Sequence, residues 1–108
     1  MSATKILPFC ALYFGLVAGL PPPASAASDA ASGLALAQRW CTGCHVVAAS
    51  GSGGDSAPPF STIAKRPNQS AGALRAWLAE PHPPMPNLGL SRQQIDDIVA
   101  YLESLRAP

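Results

Sequence analysis

Cys41-Thr42-Gly43-Cys44-His45 gathers two thiols and an imidazole into five consecutive residues. Two thiols can add across the two vinyl groups of a haem while the next imidazole reaches the iron, so each position has its own task. The two residues between the cysteines match about one helical turn, which turns both sulfurs toward the same porphyrin edge. Three other chemistries use similar residues. A thioredoxin-like redox pair expects a strand–turn–helix inside a βαβ sheet, which the pattern along this chain lacks. A structural zinc site needs a fourth ligand, and only His82 or a carboxylate remains to supply it. A disulfide between Cys41 and Cys44 would close too short a loop to stabilise much.

A second group lies in His82-Pro83-Pro84-Met85-Pro86. Proline fixes its own φ and pushes the preceding residue out of the helical region, so the segment is stiff and extended and Met85 is held in place. A thioether on iron favours the ferrous state and raises the potential, whereas a second imidazole, from His82, would lower it. The plain alternatives are a loop methionine that fills a gap and a solvated loop histidine. Trp77 and Trp40 could line a haem pocket or offer an indole N–H to a propionate, though Trp40, next to Cys41, also suits simple packing. Arg75 and Arg66 could pair with propionates, with solvated surface as the default.

Export is written into the start of the chain. Lys5 is followed by an apolar run from Ile6 to Leu20, a break at Pro21-Pro22-Pro23, and the small-x-small sequence Ala24-Ser25-Ala26. This predicts a signal peptide over residues 1–26, cut after Ala26, with Cys10 leaving in it. The alternative, a retained anchor, would need a run of about 20 residues. The remaining domain, residues 27–108, keeps two cysteines, both in the attachment segment and in an oxidising compartment. Its charges nearly cancel, in a chain of net charge +1, so no strong field points to nucleic acid or to an anionic membrane surface. A single domain this small has too little interior without a staple of some kind.

The elements that must position these residues are helical. Asp29 or Ser32 opens a first helix whose small and apolar side carries Gly33, Leu34, Leu36, Ala37 and Trp40. Val46 to Gln69 is rich in Gly, Ser, Ala and Pro and reads as a long loop with a short turn at 60–64. So long a loop in so small a domain must wrap around something, and a flat apolar cofactor would serve. Ser70 caps a further helix with Leu74, Trp77 and Leu78 on one face, ended by Pro81. Ser91 and Gln94 form a capping box for the last helix, whose stripe is Ile95, Ile98, Val99, Leu102 and Leu105. Asp96 and Asp97 are expected in its first turn and Arg106 at its end, each suiting the helix dipole. With no strand-period segment and no internal repeat, the predicted class is all-α.

On these residues the chain resembles the small class I bacterial c-type cytochromes, a likeness that runs from Gly33 to Leu105. The resemblance implies three main helices and a long loop around one covalent haem c. It also implies that Gly33 lets the first helix cross the last closely, where Tyr101 packs. Further implications are that a loop proline, Pro58 or Pro59, accepts a hydrogen bond from His45 through its carbonyl, and that Met85 is the sixth iron ligand. The expected cofactor-binding set is Cys41, Cys44, His45, Pro58, Trp77 and Met85, with His45 and Met85 on the iron. With both axial positions filled, the protein would carry single electrons and not act as an enzyme. The expected partners are a redox donor and acceptor such as an exported dehydrogenase, a membrane respiratory complex or a terminal oxidase, met in the periplasm. Other classes of function remain: a dedicated haem subunit of an exported dehydrogenase complex, or a haem sensor or enzyme with a labile sixth ligand.

Overall fold

The computed structural model describes residue 1 and residues 19–21, 27–80 and 82–108. Most of the expected signal peptide, including the run from Ile6, Cys10 and the cleavage site after Ala26, lies outside the described residues, as does Pro81. Among the described residues there are four helices and no strand: α1 (Ala30–Trp40), α2 (Phe60–Ala64), α3 (Ala71–Ala79) and α4 (Arg92–Ser104).

Each long helix begins where a side chain can accept its orphaned N–H groups. Asp29, and not Ser32, caps α1: its carboxylate accepts the Ala31 N–H at 2.9 Å and the Ser32 hydroxyl at 2.8 Å. Those bonds hold the Asp29 carboxyl below its ordinary value, the Ser32 hydroxyl contributing most. Ser70 caps α3 through the Ala73 N–H. The capping box of α4 is complete, with the Gln94 N–H donated to Ser91 Oγ and the Ser91 N–H donated to Gln94 Oε1.

The last helix is the hub. α1, α2 and α3 each pack on α4, and among the described residues they do not pack on one another. Ile95, Ile98, Val99 and Leu102 of the expected stripe are buried, and burying each such side chain contributes about 1.5–3 kcal/mol. They meet Ala37 from α1, Phe60 and Ala64 from α2, Leu74 from α3 and Val47 from the loop. α1 crosses α4 at Gly33, where a Cβ would collide with the Asp97 carbonyl and come within 2.9 Å of Tyr101 Cβ. Only glycine permits that approach. The Tyr101 hydroxyl donates to the Val47 carbonyl at 2.6 Å, fastening the loop to α4.

Three expectations about side chains give way to the fold. Asp96 and Asp97 are not in the first turn of α4, because the helix starts at Arg92. Asp96 pairs with Arg75 of α3 at 2.6 Å, and Asp97 is buried, accepting the Asp29 N–H at 2.8 Å and Gln93 Nε2 at 2.9 Å. Arg106 lies beyond the helix and donates from Nε to the Ala64 carbonyl, tying α2 to the end of α4. Trp40 and Trp77, expected on apolar faces, are 54% and 51% exposed. At about 100° per residue Leu74 and Leu78 share the inward side of α3 and Trp77 turns off its edge.

Candidate functional site

The attachment segment continues directly from α1. The Cys41 N–H closes the last turn on Ala37, and the N–H groups of Cys44 and His45 both reach the Cys41 carbonyl, at 3.2 and 2.9 Å. This tight turn sets Cys41, Cys44 and His45 around one carbonyl. Thr42 Oγ1 donates back to Gln38 O, giving the first variable position of the motif a local anchor. Cys41 is buried and Cys44 exposed, and both are free thiols. Burial, and secondarily Cys44, push the Cys41 thiol above its ordinary 9.0.

The loop from Val46 to Pro59 is not structureless. It folds back on the attachment segment and is stitched to it by backbone hydrogen bonds, Gly54 N–H to Thr42 O at 2.8 Å and Ala57 N–H to Cys44 O at 3.0 Å, and its two ends are closed by Phe60 N–H to Val46 O at 2.9 Å. Gly54 sits so close to the Gly43 carbonyl that a Cβ there would collide with it. The glycines thus let two stretches of backbone touch, which is what brings the following prolines over His45.

Of the two candidate prolines, Pro58 meets the ring. Its carbonyl lies 2.6 Å from His45 Nδ1. A carbonyl can only accept, so Nδ1 carries the hydrogen, and Nε2 is left with its lone pair free for a metal. Phe60 packs edge-on against the His45 ring at 5.2 Å and fixes its tilt. Phe60 was not singled out in the sequence; its place directly after the proline pair was the available signal.

The second group is brought together separately. Met85 is half-buried and donates its N–H to the His82 carbonyl at 2.7 Å, across the Pro83–Pro84 pair, whose peptide bond is cis. His82 sets its ring perpendicular to Trp77 with centroids 3.8 Å apart. No hydrogen bond joins this group to the one around His45 among the described residues.

The donor set fits a covalently attached haem. Two unpaired thiols lie one turn apart, the adjacent imidazole is pre-oriented with Nε2 free, and a thioether stands on a constrained segment. Three helices that pack on α4 and not on each other also suit closure on a flat apolar group. A protein-only metal centre has less support: among the described residues no three His, Cys, Asp or Glu side chains are grouped to hold an ion.

Comparison with known proteins agrees with this geometry. Residues 30–106 match the Cytochrome c family. The chain is 49% identical over 82 residues to cytochrome c-552 of Bradyrhizobium diazoefficiens, a match covering 74% of this chain and 78% of that protein. No solved structure matches the chain.

Proposed function

The chain belongs to the cytochrome c family, and from that premise we propose that it shuttles single electrons in the bacterial periplasm, with its haem attached at Cys41 and Cys44 and the iron held between His45 and Met85. As a member of that family it is an electron-transfer haem protein with covalent haem c, a carrier and not an enzyme. The haem supplies a metal centre that takes up and gives back one electron. The chain supplies everything that keeps that exchange fast and specific.

His45 is held by its Nδ1–H in the Pro58 carbonyl, which fixes the ring and makes Nε2 a stronger donor. That contact is the observation that carries the reading, because it leaves one nitrogen free beside two free thiols. Met85, on its proline-bracketed segment, provides a thioether that favours the reduced state. With both side chains on the iron, no coordination position would be left for oxygen or peroxide. Residues 1–26 act as the export leader, and among the described residues no helix is long and apolar enough to cross a membrane. Its redox partners are of the exported dehydrogenase, membrane respiratory complex or terminal oxidase kind, met through small, short-lived contacts.

The test is the visible spectrum of the purified ferric protein. A sulfur-to-iron charge-transfer band, lost in Met85→Ala while the haem stays attached, is the expected result. A spectrum unaltered by that substitution rejects Met85 as ligand, and rapid binding of carbon monoxide to the native ferrous form would favour a labile sixth position.

A further inference from the structure

Trp77 is half in solvent, yet its indole lies 3.8 Å from the ring of His82 at 89°. One ring presents its edge to the face of the other. His82 Nδ1 is buried and has no hydrogen-bond partner. A buried ring nitrogen without a partner is unfavourable, so the His82 ring is held by its packing, and the aromatic ring packed against it is the Trp77 indole. The His82 carbonyl in turn receives the Met85 N–H at 2.7 Å. Trp77 sits on α3, the helix whose Leu74 is buried in the core, and from Trp77 the contacts run to His82 and on to the residue proposed as sixth ligand.

We infer that Trp77 and His82 form a clasp that positions the Met85 segment on α3 and so sets how firmly the sulfur is held. Trp77 is then a positioning residue for the ligand. The molecule contains its own control. Trp40 is equally exposed, at 54%, but lies at the end of α1 with the Arg39 guanidinium over its ring at 5.5 Å.

The inference rests on Met85 being the sixth ligand. It is tested on the haem-loaded protein by titrating the ferric form with imidazole or cyanide, either of which binds only by displacing the sulfur. Trp77→Ala is expected to raise the apparent affinity about two- to ten-fold, the value of one aromatic pair converted through the binding equilibrium. Trp77→Phe should restore most of the native value, and Trp40→Ala should leave it unchanged. His82→Ala should act like Trp77→Ala, and the double variant should add little to either single one, because the two share one contact. Unchanged affinity in both single alanine variants, additive effects, or an equal rise in Trp40→Ala overturns the clasp. Should the native ferric protein lack the sulfur-to-iron band, the Met85 reading falls and the clasp with it. A band that is present with affinities that do not move defeats the clasp alone.

Discussion

Replacing Gly33 with alanine puts a methyl group into the backbone of α4. The new carbon would overlap the Asp97 carbonyl, with the carbonyl carbon at 2.5 Å and Tyr101 Cβ at 2.9 Å. Ordinary contact begins near 3.4 Å, and the carbonyl oxygen is the nearest atom, so the helices must part by roughly one to one and a half ångström. A gap of that size forfeits about half or more of the dispersion well at each contact it opens, here among Ala37, Ile98, Tyr101 and Leu102. Overpacking of this kind costs about 1–3 kcal/mol, and the colliding group is main chain that cannot rotate aside. Alanine returns about 0.5–1 kcal/mol in helix propensity. A net loss of about 1–2 kcal/mol follows, or a fall in Tm of roughly 5–15 °C for a domain of this size. The assay is thermal unfolding of the haem-loaded protein followed by far-ultraviolet circular dichroism. Gly72→Ala, on α3 with Ser70 Oγ at 3.8 Å as its nearest neighbour, should raise Tm slightly. A Gly33→Ala protein as stable as the native one would refute the close-crossing argument.

Tyr101→Phe leaves the buried Val47 carbonyl without its donor and should cost about 1–3 kcal/mol in denaturant unfolding. Burial pushes the Tyr101 hydroxyl above its ordinary 10.0, so its contribution is complete below that value and is lost as the pH rises through the folded-state pKa. A stability advantage of the native protein over Tyr101→Phe that stays constant or widens as the pH rises through that range would contradict this placement. Asp29, held below its ordinary 3.8, works in the opposite sense. Its advantage over Asp29→Asn should be complete above that value and vanish as the pH falls through the folded-state pKa, as read by acid titration of Tm. A Cys41→Ala/Cys44→Ala chain should lose most of its helix signal, because α1, α2 and α3 then have no group to close upon; full native helicity would count against the cofactor's share in the core.

The helices were legible because their signals are local. Ser91 and Gln94 stand three apart and make the bonds that spacing implies, and Phe60 to Ala64 forms its turn directly after two prolines. The all-α class followed from the same periodicities. The long-range polar contacts were not legible. Asp97 reaches Asp29 across 68 residues, Tyr101 reaches Val47 across 54, and Arg106 reaches Ala64 across 42. Local sequence reported only that these residues are polar, so the dipole was a natural but mistaken role for Asp97 and Arg106. The site shows the same division. Cys41, Cys44 and His45 are contiguous and could be read at once. The choice between Pro58 and Pro59 depended on how the loop is stitched back to Thr42 and Cys44, which loop composition does not encode. Trp77 matched a helical face by spacing, and its rotation away from the core became apparent only once α3 was seated on α4.

Haem retention through unfolding tests the central claim most directly. The purified chain is denatured and extracted with acidified organic solvent, and the absorbance is followed. A chain that holds one haem through Cys41 and Cys44 keeps its colour in the protein fraction and shows a bound-haem mass on the intact polypeptide. Colour that passes entirely into the solvent, leaving a polypeptide of unmodified mass, would contradict it.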